Sequence, residues 1–153
     1  MSNTAAKTFS IQHVNLEYAR KVLQVYNARS RPLSDEIGLP GTAFDILMFL
    51  YNNPDYHTAR DIVRVRGIKA SLVSVNVDRL VEDGYLLREH DPDDRRKYRL
   101  TLTPKAMAVG AKGRVMQDAF FTELLDGIDD EQLAILEQIF VRAGDNLEKM
   151  EGH

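Results

Sequence analysis

T-A-R-D-I-V-R-V-R-G-I-K-A-S-L-V-S-V-N-V-D-R-L-V-E-D-G-Y-L-L-R-E-H-D-P-D-D-R-R-K-Y-R-L-T-L-T, running from Thr58 to Thr103, decides the fold. Thr58 with Asp61 forms a cap pattern that opens a short helix over Ala59, Ile62 and Val63. Gly67 suits the residue after its end. From Lys69 or Ala70 a second helix follows, with Ala70, Val73, Val77 and Leu80 on one face at helical spacing, and Gly84 ends it. A helix of about ten residues, a turn containing Gly and a longer helix make a helix-turn-helix pattern. Tyr85 to His90 is compatible with a strand. Tyr98, Leu100 and Leu102 alternate strictly with Arg99, Thr101 and Thr103, as in a strand buried on one side. Asp91–Arg96 connects the two strands.

Outward from this unit the chain is helical. Leu16, Ala19, Leu23 and Tyr26 recur at spacings of three and four within a helix predicted from Ser10 to about Ser30, with Val22 and Val25 widening the stripe. Residues 31–41, with two Pro and two Gly, read as a loop. Thr42 and Asp45 form a variant capping box for a helix bearing Ile46, Leu47 and Leu50. Thr103-Pro104 opens a long helix to about Leu125, lined by Met116, Phe120 and Leu124. Gly110 and Gly113 weaken its first half and allow a bend or a close helix approach. Asp129 or Asp130 caps a last helix with Leu133, Leu136, Phe140 and Leu147. The expected class is mainly α (α+β): one domain over 1–153, a central winged unit over 42–103, and flanking helices over 8–30 and 104–150. The end helices carry more apolar surface than so small a middle domain can cover, so pairing with a second copy is expected.

Composition narrows the function classes. The chain has 153 residues, 44% hydrophobic, with no cysteine and a net charge of −3. Absence of Cys excludes disulfides, thiolate zinc sites and thiol switches. No apolar run approaches the ~20 residues that span a bilayer, and Met1–Ser10 has no apolar signal region, so a cytoplasmic protein with no membrane partner is expected. His57 to Lys105 holds 11 basic and 8 acidic side chains, and the remainder 9 and 15. A basic middle on an acidic chain fits a polyanion at one face, although so small a swing carries little weight alone.

If the inward face of the second helix is as above, then Ser71, Leu72, Val75, Asp78, Arg79 and Glu82 face outward. Ser74 and Asn76 flank them, and Lys69 stands at the helix start. Serine hydroxyls donate or accept, Asn76 can pair with adenine, and Leu72 or Val75 can pack on thymine methyls in a DNA major groove. The competing reading for Leu72 is packing on a neighbouring helix. At the hairpin tip, Arg95, Arg96 and Lys97 suit a narrow, strongly negative minor groove, with Asp94 near enough to clamp one arginine. The competing reading is a solvated charged hairpin. A calcium loop at Asp91, Asp93 and Asp94 fails, because its sixth position is Arg96 and its twelfth Leu102.

These residues carry a resemblance. V-D-R-L-V-E-D-G-Y-L at 77–86, D-P-D-D-R-R at 91–96 and L-T-L-T-P at 100–104 look like a winged helix-turn-helix of the multiple-antibiotic-resistance regulator (MarR) family. The resemblance implies a homodimer joined through its first and last helices, bound to a pseudo-palindromic operator in double-stranded DNA, usually as a repressor. By position, Ser71, Ser74, Val75 and Asn76 match the family's base-reading stretch and Arg96 its wing-tip arginine. Ser74-Val75 departs from the Thr-Arg that many members carry, which bears on base preference rather than on docking. The resemblance also implies release by a small aromatic effector, for which His13, Tyr18, Tyr26 and Tyr51 are candidates. For each, a structural role is the stronger reading.

Two other classes fit the sequence less well. An enzyme is not expected: His13, His57, His90 and His153 share no metal-ligand spacing, and no phosphate-loop, G-x-S-x-G or H-E-x-x-H motif occurs. No catalytic residue, metal ligand or cofactor is predicted. A winged helix used only for protein interaction would share the fold, but a cationic wing tip favours DNA.

Overall fold

A computed structural model describes residues 16–151. Its elements in chain order are α1 (Leu16–Ile37), α2 (Gly41–Asn52), α3 (Ala59–Arg66), α4 (Ala70–Glu82), β1 (Leu86–His90), β2 (Tyr98–Leu102), α5 (Pro104–Leu124) and α6 (Asp130–Glu151). They fall into two compact units, residues 1–120 and 121–153.

In the first unit the core is built on α2. Seven of its residues, from Ala43 to Leu50, are buried, among them Ile46, Leu47 and Met48. Ile62 of α3, Val73, Val77 and Leu80 of α4, Leu86 and Leu100 of the strands, and Ala106 and Val109 of α5 close around them. Burying one such side chain contributes roughly 1.5–3 kcal/mol. β1 and β2 are antiparallel, with Leu86 opposite Leu102, Arg88 opposite Leu100 and His90 opposite Tyr98. Leu100 N–H also donates to the His57 carbonyl at 2.7 Å, which ties the outer edge of β2 to the segment before α3.

Two expectations are corrected. Residues 31–37 are not loop: α1 continues through Pro32 to Ile37. Proline costs the helix one donor, but Leu33 and Ile37 pack on the core and Ser34 is buried with its hydroxyl donating to the Arg31 carbonyl at 3.0 Å. Tertiary burial outweighs the breaker, and the helix stops at Gly38, whose φ of 70° is left-handed. Second, Thr42 does not cap α2. Pro40 is the cap and no side chain bonds there. Asp45 instead receives Arg66 across the α2–α3 gap.

Other local readings hold. Thr58 and Asp61 make a complete capping box, and Gly67 takes φ 62° after α3. Thr103 Oγ accepts from Ala106 N–H at 3.2 Å and donates to the Gly84 carbonyl at 2.7 Å, so it caps α5 while holding the end of α4. Lys105 Nζ donates to the Asp83 carbonyl at 2.7 Å and lies 4.2 Å from the Tyr85 ring centre. Gly110 and Gly113 are buried at a close helix approach: a Cβ at Gly110 would enter the Tyr51 ring, and one at Gly113 would meet the Met48 sulfur.

In the second unit Asp129 Oδ1 accepts from Gln132 N–H at 2.8 Å, and Gln132 returns the bond to Asp129 N–H. This is the reciprocal cap of α6. None of α6's described residues is buried.

Candidate nucleic-acid interface

α4 presents a polar and aliphatic face because its apolar stripe is narrow. Val73, Val77 and Leu80 point into the core, while Ser71, Leu72, Ser74, Val75, Asp78, Arg79 and Glu82 are exposed. Lys69 is exposed at the N-cap and makes no capping bond. Ala70, expected inside, is exposed. The larger departure is Asn76, which is 7% exposed and donates its side-chain amide to the Leu72 carbonyl at 2.8 Å. It lies three residues after Val73 and four before Leu80, so the helix turns it onto the buried stripe. Asn76 is therefore not part of the outward surface.

The wing is an ordered turn. Asp91 Oδ1 accepts from Asp93 N–H at 2.8 Å and from Asp94 N–H at 3.3 Å. Lys97 N–H donates to the Asp94 carbonyl, and Asp91 N–H to the Lys97 carbonyl. Asp94 then grips Arg96 three times: Oδ1 accepts from Arg96 N–H and Nε–H, both at 3.1 Å, and Oδ2 from Nη2–H at 3.4 Å. The Arg96 side chain stays 91% exposed, aimed by its partner yet open to solvent. Arg95 and Lys97 beside it are also exposed. Donors from the Arg96 side chain and then its backbone hold the Asp94 carboxyl below its ordinary value. Backbone N–H groups, Asp93 first, do the same for Asp91. At neutral pH both are charged and the turn is fastened.

A link absent from the sequence reading joins wing to helix. Arg88, on the inward face of β1, bonds Asp78 on the exposed face of α4, and its guanidinium stands 6.0 Å from the Tyr98 ring centre. Tyr98 in turn lies 4.6 Å from the His90 ring, and His90 Nδ1 meets the Arg95 carbonyl at 2.9 Å. A cation in register with buried Leu100 was the available signal. Between α3, α4 and the wing lies a cavity of about 570 Å³, bordered by Arg60, Ser74, Asp78, Arg88 and Tyr98. The predicted residues thus fall in two groups, one on α4 and one at the wing tip, and the Arg88–Asp78 pair fastens the second element to the exposed side of the first.

The four effector candidates do not converge. His13 lies outside the described residues. Tyr18 is exposed on α1. Tyr26 is half-buried: its hydroxyl accepts from Gln117 Nε2 at 2.6 Å and its ring meets Phe120 edge-on at 5.4 Å. Tyr26 also borders a cavity of about 590 Å³ shared by α1, α2, Ile68 and Leu72. Tyr51 packs on Gly110 and borders a different cavity beside β2. Among the described residues no cluster of side chains could hold a metal ion, and no helix is long and apolar enough to cross a membrane.

Residues 37–97 match the model of the MarR family. Over that stretch, the central winged unit, the chain is similar to the MarR family. No curated protein matches this sequence. Solved structures do: the MarR transcription regulator of Oenococcus oeni PSU-1 is 24% identical with TM-score 0.67, over 86% of this chain and 99% of that one. The transcriptional regulator PA3341 is 25% identical with TM-score 0.72, over 86% and 98%. A MarR family regulator of Listeria monocytogenes, solved with a 26mer DNA, is 14% identical with TM-score 0.78, over 87% and 88%. The fold is the winged helix-turn-helix expected from Thr58–Thr103, and it is shared with these solved MarR-family regulators.

Proposed function

We propose that this chain is a MarR-family, sequence-specific regulator that binds double-stranded DNA as a homodimer at a pseudo-palindromic operator, represses there, and is released by a small aromatic effector. The observation that carries the DNA-binding part is the union of two elements by Arg88 and Asp78: an exposed helix face and a cationic finger, held as one body. A helix in the major groove and a guanidinium in the adjacent minor groove need that fixed spacing. The neighbour solved with DNA supports the same reading. Lys69, Ser71, Leu72, Ser74, Val75 and Arg79 make the major-groove face, and Arg95, Arg96 and Lys97 the wing contact.

For release, the cavity bordered by Tyr26 fits the proposal best among the described candidates. Ile68 and Leu72 share its wall with α1, so a ligand there bears directly on the turn that aims α4. A planar aromatic there would lie against Tyr26, Leu23 and Leu72, beside Ser30 and Ser34.

The test is DNA affinity against salt, with the sequence upstream of the chain's own gene and with random duplex as control. If about six phosphates are neutralised, log K falls with log salt at a slope near −5. A flat profile, or equal affinity for both duplexes, contradicts specific binding.

A further inference from the structure

α4's exposed face also constrains which bases it takes, an inference that rests on the DNA-binding reading above and deepens it. In a major groove, guanine is read by a forked or ammonium cation, adenine by a carboxamide, cytosine by a carboxylate acceptor, and thymine by apolar contact with its C5-methyl. Three of these are withdrawn from the centre of the face. Asn76, the helix's one carboxamide, is turned off that face: it is 7% exposed and committed to the Leu72 carbonyl. The Asp78 carboxylate is bound by Arg88. Arg79 is drawn toward the end of the helix, with Nε 3.4 Å from Asp83 Oδ2 and Nη2 3.4 Å from the Gly38 carbonyl. What remains in the middle is Val75, 66% exposed, one turn after Ser71 and Leu72 and one turn before Arg79. Serine hydroxyls serve either base of a pair, so Ser71 and Ser74 position without choosing.

We propose that this chain reads its operator through thymine methyl groups, with Val75 as the specificity-determining residue, so that the steps under the middle of α4 are A·T pairs.

The test starts by selecting duplexes from a random-sequence library with the full chain. Each thymine of the recovered site is then replaced by deoxyuridine, which removes only the methyl. At one or two thymines per half-site, uracil is expected to weaken binding about fourfold, the factor that corresponds to ~0.8 kcal/mol for one buried carbon. Val75→Ala should lose the same factor on the unmodified site and no longer distinguish thymine from uracil there. Val75→Arg should shift preference toward a G·C pair at that step. Because Val75 is exposed, both variants should keep the wild-type melting temperature, which is measured alongside. The proposal is overturned if the wild-type chain tolerates uracil everywhere, if Val75→Ala stays as sensitive as wild type, or if selected sites carry invariant guanine under α4. Failure to enrich any sequence overturns the DNA-binding reading itself and this proposal with it. Enrichment without uracil sensitivity overturns only the proposal.

Discussion

Arg96 shows how, in the proposed reading, one residue is held ready for DNA. A free arginine loses side-chain entropy when it docks. Here Asp94 has already fixed the guanidinium direction through donors at 3.1 Å, while the side chain stays open to solvent. Arg96→Ala is expected to weaken DNA binding by ~1–3 kcal/mol and to relax preference at the minor-groove position; a titration with unchanged affinity would remove the wing from the interface. The clamp has a defined pH window. The Asp94 carboxyl is held below its ordinary value near 3.8, first by the Arg96 side chain. A depressed folded value means the ordering is complete above the ordinary value and lost only as pH falls through the depressed one. The Arg96 Nε–H resonance should therefore hold its position from pH 8 to pH 5 and collapse only below the usual carboxylate range. Collapse near pH 6 would assign the order of the wing to another group.

Elements show which parts of the sequence could be read and which could not. Signals confined to one turn were legible: the Thr58–Asp61 box, Gly67, Thr103-Pro104, the Asp129 cap and the alternation in β2 each depend on neighbours in sequence. Signals that compete with distant packing were not. Pro32 reads as a breaker, yet α1 runs through it because Leu33 and Ile37 find the core. Thr42 and Asp45 read as a cap, yet Asp45 finds Arg66, 21 residues away. Asn76 reads from its chemistry as flanking the outward surface, although its spacing to Val73 and Leu80 puts it inward. The Arg88–Asp78 pair was invisible because it forms only once β1 folds back on α4. Its role can be measured. Arg88→Met should keep the fold but let the wing swing, so Arg96→Ala should cost less in that background than alone. A double-mutant cycle on DNA affinity reads the difference; strict additivity would make the pair ornamental. The close approach of α2 and α5 gives a second prediction at this scale. Gly110→Ala gains up to ~1 kcal/mol of helix propensity but drives a methyl into Tyr51, so a net loss of ~1–2 kcal/mol is expected in urea unfolding. A gain would mean that the Tyr51 ring moves aside freely.

At the scale of the whole molecule, apolar surface is the unresolved quantity. α6 exposes Ile135, Ile139, Phe140, Val141, Leu147 and Met150, with Phe140 at 67%, and α1 exposes Tyr18, Leu23 and Val25. Isolated exposed apolar residues are ordinary, but a run of this size on the described helices is what protein interfaces bury. A second copy is the expected cover, because the proposed pseudo-palindromic operator would need two identical readers at fixed spacing. Sedimentation should then give twice the 17.4 kDa chain mass. Phe140→Glu with Ile139→Glu should shift the population to single chains while leaving the 1–120 unit helical. Because apolar burial is weakly screened and phosphate contacts are strongly screened, raising salt should release DNA while leaving the dimer intact. A wild-type chain that sediments as a monomer at micromolar concentration, yet binds its site with a full salt slope, would mean that each copy reads DNA alone and that the exposed face of α6 serves another partner.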